Sequence, residues 1–240
     1  MLSPSELFDL TEKTPAEAER FLKEKKVKLS TGWKQVVKIC KENGFTVANV
    51  TKVQLLTDIK GLISEAMQKG LDIVEFKKNF KNVLSENGWY SAPVDKTLDT
   101  NWRMNLIFRM NTNSAFAAGR LAKSQTTKSI APCIKLNIVL DKNTTDRCRY
   151  FANKKMVFSL SDKLLRYIHP IRHWGCRTDA LPQTPDMIEL YKLKITPIKT
   201  IPMEFRNHKD FQELPKLKYV PNLTDMRDKY DADVMKEYEK

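Results

Sequence analysis

Residues 169–179, HPIRHWGCRTD, contain several side chains that could bind a metal or act in catalysis. Histidine and cysteine are the ligands that zinc prefers, and a cysteine next to a histidine can act as a nucleophile. Here His173 and Cys176 have the short H-x-x-C spacing, while His169 and the distant Cys148 are further candidate ligands. Because the sequence has no second close pair, four zinc ligands are not evident, and we expect no metal.

The other interpretation of this stretch is a tight, buried turn that has a structural role. A proline would fix its entry, a tryptophan would fill the core, a glycine would permit the bend, and an arginine would pair with an acid such as Asp141 or Asp179. We expect this rigid corner to hold the chain against residues 141–148. The residues that would form it are Pro170, His173, Trp174, Gly175, Cys176 and Arg177.

Evidence for catalysis is weak elsewhere in the sequence. The chain has 3 histidines, one of which, His208, lies in a charged segment. There is no G-x-S-x-G nucleophile motif, no P-loop and no G-x-G-x-x-G motif. We therefore expect no enzyme activity, no catalytic residue and no cofactor.

The charge of the chain suggests a polyanionic partner. The sequence has 42 Lys and Arg residues against 29 Asp and Glu residues, a net charge of +13. Since no sequence-reading motif is present, double-stranded DNA would be bound through its phosphates, without base specificity and with strong salt dependence. The candidate DNA-contact residues are Lys23, Lys25, Lys26, Lys28, Lys77, Lys78, Lys81, Arg103 and Lys123.

Capping signals predict helices through residues 1–128. Capping boxes occur at 3–6, 14–17, 51–54 and 72–75, and stop signals lie at Gly70 and at residues 87–88. Residues 101–125 read as one long helix in which small residues allow another backbone to come close. Arg109 and Arg120 lie on this helix and are candidates for buried, paired arginines.

The second half has a different pattern. Alternating and β-branched residues predict strands near 133–140 and 154–160, within a small mixed region at 129–182, and a short helix near 146–152. Recurring prolines and charges predict an extended arm at 183–240 that ends in a short helix. The expected fold class is α+β, with a helical N-terminal half packed on a smaller mixed α/β region.

The redox setting and the membrane question follow from composition. The 4 cysteines form no C-x-x-C motif, which favours a reducing compartment. Neither a signal peptide nor an apolar run long enough to span a bilayer is visible, so we expect no membrane partner.

Several motifs together resemble the phage Mu protein F-like head morphogenesis family. Residues 45–89 look like its N-terminal half, and residues 107–120 resemble its helix that ends in Gly-Arg. Residues 141–148 are similar to its D-x-R-T-x-x-x-H/C box, with Asn143 in place of arginine. Residues 169–178 resemble its P-x-H-x-x-C-R-C corner, with Thr178 in place of the last cysteine.

The resemblance implies a structural role. Such minor head proteins of tailed double-stranded DNA phages and prophages associate with the portal, scaffold or major capsid protein and affect DNA packaging or ejection. It implies a location inside the virion head, and in the host cytoplasm during assembly. Its matching motif residues, together with the tryptophan of the corner, form the predicted structural set: Arg109, Asn111, Gly119, Arg120, Asp141, Thr144, Cys148, Pro170, His173, Trp174, Cys176 and Arg177.

Two other functions remain open from the sequence alone. One is a metal- or thiol-dependent hydrolase, such as a nuclease-like effector of prophage origin. The other is a general nucleic-acid-binding protein of the host with no role in assembly.

Overall fold

The fold of the chain is α+β, as expected, in a computed structural model that describes residues 16–91 and 98–212. The described α-helices are α1 (Ala16–Glu24), α2 (Trp33–Lys41), α3 (Val53–Lys69), α4 (Ile73–Glu86), α5 (Asn101–Thr126), α6 (Asp146–Arg149) and α7 (Pro185–Leu190). The described strands are β1 (Lys26–Val27), β2 (Gly44–Phe45), β3 (Cys133–Asn137), β4 (Met156–Ser159), β5 (Asp179–Gln183) and β6 (Lys194–Ile195). Short 3₁₀ turns lie at Trp89–Ser91, Leu165–Tyr167, Ile198–Thr200, Met203–Phe205 and Lys209–Phe211.

Most of the predicted helix ends are confirmed. Gly70 ends α3 in the left-handed conformation, with φ of 67°, and the Asp72 side chain caps α4 by accepting from two backbone N–H groups. One capping prediction is wrong, because Lys52 rather than Thr51 is the N-cap of α3 and no side chain caps it. The capping box at 3–6, the first residues of the box at 14–17 and the predicted C-terminal helix lie outside the described residues.

A helical core fills the first half of the chain. Its largest fully buried side chains are contributed by α1, α3, α4 and the β1–β2 pair, and α5 packs against them. The aromatic rings of α4 anchor it, since the Phe76 ring centroid lies 5.6 Å from that of Phe80 and 4.6 Å from that of Phe108 on α5. The short helix α2, which the sequence did not predict, buries Val36 and Ile39, and Ile39 lies against Gly44 of β2.

Helix α1 crosses α5 at very short range where α5 carries its small residues. A Cβ atom added at Gly119 would lie 2.7 Å from the backbone nitrogen of Ala18 and 3.0 Å from its Cα. Ala115 and Ala118 on α5 are also fully buried. The absence of a side chain at Gly119 therefore sets the distance between these two helices.

We predict that Gly119→Ala lowers the free energy of unfolding by about 1–2 kcal/mol. The added methyl group meets backbone atoms that cannot yield cheaply, and this overpacking exceeds the helix propensity gained by alanine. Gly61→Ala on α3 is the matched control, because an added Cβ meets nothing within 4 Å there, and it should stabilise by up to about 1 kcal/mol. Urea denaturation of both variants checks the opposite signs. Equal effects would contradict the close approach.

A four-stranded sheet forms the core of the second half. Its strand order is β5-β3-β4-β6, with β3 antiparallel to β4 and β5 and with β4 parallel to β6. The two predicted strands and the helix near 146 are confirmed, with shorter bounds. Leu121 of α5 joins the sheet core formed around Ile134, Phe158 and Ile168, so α5 contributes to both cores.

The expected boundary at residue 183 needs correction. Strand β5 runs through Gln183, β6 pairs with β4, and Ile198 and Ile201 are buried in the sheet core. The second half therefore continues as folded structure to residue 212. Residues 213–240, the remainder of the expected arm, lie outside the described residues.

Candidate functional site

The corner, residues 169–179, follows the 3₁₀ turn Leu165–Tyr167 and leads directly into β5. Gly175 adopts φ of 73°, which glycine reaches without steric cost, and its N–H points at the Met110 sulfur of α5, 3.0 Å away. The half-buried Trp174 ring packs edge-on against Phe211, with centroids 4.9 Å apart. The bend expected at Gly175 is thus present and is fastened to α5.

An ion pair connects the corner to the loop that follows β3. Arg177 donates to both carboxylate oxygens of Asp141, with Nη2 2.7 Å from Oδ1. This hydrogen bond holds the pKa of Asp141 well below its usual range. Thr144 supports the loop by donating to the Val139 carbonyl at 2.8 Å and accepting from the Asp141 N–H at 2.8 Å. Of the two acids considered for Arg177, Asp141 is its partner.

Cys148, His173 and Cys176, which we call the Cys–His cluster, meet where α6 packs on the corner. Their ligand atoms all lie within 4.8 Å of one another, and the Cys148 sulfur is 3.1 Å from Nε2 of His173. Both sulfurs are buried, with 4% of Cys148 and 1% of Cys176 exposed. The hydroxyl groups of Thr145 and Thr178 complete the surroundings, 3.0 Å from Nε2 and 3.3 Å from the Cys148 sulfur.

The two thiols of the cluster differ strongly in acidity. The neighbouring Cys176 thiol lowers the pKa of Cys148, and Cys148 in turn raises the pKa of Cys176. The hydrogen bond between His173 and Cys148 also lowers the pKa of Cys148 and raises that of the imidazole. Cys148 is therefore the sulfur that ionises first.

Arg172 is not among the predicted site residues; it lies beneath the cluster and is fully buried at 0% exposure. Its guanidinium donates to the carbonyl oxygens of Ile168 at 2.8 Å, Arg147 at 3.2 Å and Phe205, and its Cζ lies 4.3 Å from the centre of the Phe151 ring. No carboxylate within the described residues pairs with it. Sequence gives no signal for this residue, because arginine is rarely buried.

His169 is also buried but lies outside the cluster. Its Nδ1 is 2.6 Å from the Pro170 carbonyl, so Nδ1–H is the donor. Burial lowers the pKa of His169 to about 4. Of the four candidate metal ligands, the structure brings together Cys148, His173 and Cys176 and leaves His169 apart.

Helix α5 holds the corner from the opposite side. Asn113 donates from Nδ2 to the Cys176 carbonyl at 3.1 Å, and Arg120 forms an ion pair with Asp179. Arg109 is exposed, so the expectation that both arginines are buried and paired is wrong for Arg109. Asn111 donates to its own helix at the Ile107 carbonyl, 2.8 Å away.

Comparison with known proteins gives one family. The model of the family described as "Phage Mu protein F like protein" matches residues 57–181, more than half of the chain. The chain belongs to this family. The matched range runs from α3 into β5 and therefore contains the whole corner and the Cys–His cluster.

Two curated relatives of the phage Mu F-like chain are informative. It is 26% identical over 172 residues to the "Putative capsid assembly protein F" of Escherichia phage Mu, covering 68% of this chain and 39% of that protein. It is 25% identical over 173 residues to the "Mu-like prophage FluMu F protein" of Haemophilus influenzae, covering 70% and 41%. The chain thus spans about two fifths of the length of each relative. No solved structure matches it significantly.

The predicted DNA-contact residues of this phage Mu F-like chain differ in their solvent exposure and in their ion pairing. Lys25 is buried at 7% exposure, with its Nζ over the Phe21 ring, and burial lowers its pKa. It is therefore poorly accessible to a phosphate group. Lys23 and Lys28 are exposed but pair with Glu19 and Glu42.

The remaining candidates also divide into two groups. The guanidinium of Arg103 donates to the Ala48 carbonyl, and the Lys123 side chain is half-buried. In contrast, Lys26 and the lysines of α4 have no ion-pair partner among the described residues. Lys78 and Lys81 are exposed and Lys77 is half-buried, and their spacing places them on neighbouring positions of one helix surface.

In the described part of this family member, no helix is both long and apolar enough to cross a membrane.

Proposed function

We propose that the chain is a minor head protein that takes part in capsid assembly of a tailed double-stranded DNA phage or prophage. The observation that carries the proposal is the family match over residues 57–181, with a relative described as a capsid assembly protein. The rigid corner, fastened on one side by Asp141 and on the other by α5, suits a protein that presents a fixed surface to its neighbours.

The proposed partners are the portal, scaffold or major capsid protein of the same phage. Coexpression of the full chain with these three proteins, followed by sedimentation of assembled particles, tests this part. The chain should cosediment with the particles in a small, constant number of copies per particle. A chain that stays at the top of the gradient when particles form would contradict the assembly role.

We further propose that the chain contacts DNA without base specificity while it is inside the head. Net charge alone would attract phosphate, but the lysines of α4 offer the best-placed cations. Lys77, Lys78 and Lys81 form no ion pair with an acidic side chain among the described residues, whereas Lys23 and Lys28 are already paired. The lysine surface of α4 is therefore the proposed interface.

We predict that replacing Lys77, Lys78 and Lys81 with Gln weakens binding to random duplex DNA and makes it less sensitive to salt. Each phosphate contact contributes about 0.9 to the slope of log K against log salt, so the slope should become shallower by about 2–3. Fluorescence anisotropy between low and moderate NaCl measures both quantities.

The matched control changes the same net charge elsewhere. Lys142, Lys163 and Lys199 are exposed, and their replacement with Gln should leave most of the slope intact. A control variant that loses as much as the α4 variant would contradict a localised interface. A flat salt response of the wild-type chain would remove the DNA contact altogether.

The Cys–His cluster does not favour the alternative of a thiol-dependent hydrolase. A nucleophilic cysteine has to reach its substrate, and both sulfurs are buried. A cavity of about 470 Å³ between the helical core and the corner is lined by His169 and Trp174 but not by the cluster. We therefore propose that the cluster has a structural role and that the chain acts without catalysis.

A further inference from the structure

The three ligand atoms of the Cys–His cluster lie close enough together to bind one metal ion. In a tetrahedral zinc site, bond lengths of about 2.3 Å to sulfur and 2.0–2.1 Å to nitrogen place neighbouring ligand atoms about 3.6 Å apart. The three ligand atoms here lie within 4.8 Å of one another, with the Cys148 sulfur 3.1 Å from Nε2 of His173. Small side-chain rotations are enough to surround one ion.

The hydrogen bonds of His173 prepare its ring for a metal. Nδ1 lies 2.9 Å from the Trp174 carbonyl, which can only accept, so the proton is on Nδ1. Nε2 then directs its lone pair at the cluster. Ligating histidines in proteins usually donate their other N–H to a carbonyl or carboxylate in this way.

The buried charge next to the cluster also favours metal binding. Arg172 is fully buried, and its three hydrogen bonds go to carbonyl oxygens rather than to a carboxylate. Its guanidinium interacts favourably with both sulfurs. A buried positive charge beside the cluster compensates the negative charge of a thiolate, which is the form of cysteine that binds metal ions.

We propose that Cys148, His173 and Cys176 bind one divalent transition metal ion of the zinc class, which ties α6 to the corner. Two sulfurs and one imidazole are the ligand types that select zinc over magnesium or calcium. The fourth position would be taken by water or by the hydroxyl of Thr178, which lies 3.3 Å from the Cys148 sulfur. Because the sulfurs are buried, the site is structural. The inference does not rest on the proposed capsid role.

Metal analysis and cobalt titration of the full chain test this site. The chain purified under reducing conditions should contain about one zinc per molecule by elemental analysis. Titration of the metal-free chain with Co²⁺ should give the intense visible bands of a tetrahedral ion and a thiolate-to-cobalt charge-transfer band that saturates at one equivalent. Zn²⁺ should abolish these bands and raise the Tm.

Matched variants assign the ligands. Cys148→Ser and Cys176→Ser should weaken Co²⁺ binding by more than the roughly 10–100-fold that loss of a partner around a metal ligand costs. Cys40→Ser and Cys133→Ser remove the two cysteines outside the cluster and should keep both the bands and the stoichiometry. Equal loss in both pairs would overturn the assignment.

Thr178→Cys gives a test that does not depend on destabilised variants. A cysteine there would add a third thiolate next to Cys148, so the Co²⁺ affinity should rise at least 10-fold and the charge-transfer band should intensify. Unchanged affinity and spectrum in this variant would contradict a site open toward Thr178. A reduced wild-type chain that shows no cobalt bands and no change of Tm with Zn²⁺ would overturn the proposal.

Discussion

Arg172→Met should lower the free energy of unfolding by about 3–5 kcal/mol, the largest effect expected of a single substitution outside the Cys–His cluster. Methionine has similar length and keeps apolar contact with Phe151 but cannot donate a hydrogen bond. The carbonyls of Ile168, Arg147 and Phe205 would lose their buried donor, and each unsatisfied acceptor costs about 1–3 kcal/mol. Removal of a desolvated charge offsets part of this loss.

Urea denaturation of the Arg172 variants at neutral pH measures the effect. Arg166→Met is the matched control, because Arg166 is exposed and its replacement should change stability by no more than about 0.5 kcal/mol. Arg172→Lys should also be clearly destabilised, since an ammonium group cannot span three carbonyls held by a guanidinium. Similar stability of the two methionine variants would show that the buried arginine is not a structural centre.

The stability of the chain should fall in mild acid because of His169. Burial lowers the pKa of this imidazole to about 4 in the folded chain, whereas the unfolded chain has the usual value of about 6.5. Above pH 6.5 both states are neutral and the group makes no difference. Below pH 6.5 the unfolded state binds a proton that the folded state does not. The free energy of unfolding therefore falls, by about 3 kcal/mol near pH 4.

A comparison of wild type with His169→Asn between pH 7.5 and pH 4 isolates this effect. Asparagine keeps an N–H donor near the Pro170 carbonyl but does not titrate, so the variant should lose about 3 kcal/mol less than wild type over this range. Other acid effects, including release of a metal ion, act on both chains and cancel in the difference. Parallel pH profiles would show that His169 is not held neutral by the fold.

The elements that the sequence predicted well are those whose signals are local. Asp72 and Gly70 define helix ends through contacts with residues only a few positions away. The long helix α5 is predicted by the helical spacing of its apolar residues over many turns. Helix α2 was missed because it is short and Gly32 provides no side-chain cap. Strands β5 and β6 were missed because Pro182 and the short length conceal them, and their pairing partners are distant in sequence.

The sequence predicts which segments form the site, but not how their side chains interact. The expectation that residues 169–179 meet residues 141–148 agrees with the observed contacts of Arg177 and His173. The position of Cys148 within reach of Cys176 depends on how α6 packs, which spacing along the chain cannot reveal. Burial of Lys25 and Arg172 likewise depends on tertiary contacts, because both residue types are exposed in most proteins.

Helix α5 has a mechanical consequence. Its 26 residues form a strut about 39 Å long, with Ala115 and Ala118 embedded in one core and Leu121 in the other. A force applied on the α1 side can therefore pass along this helix to the sheet. Since Asn113 and Arg120 fasten the strut to the corner as well, the described part of the chain should transmit load as one stiff body rather than bend at a hinge.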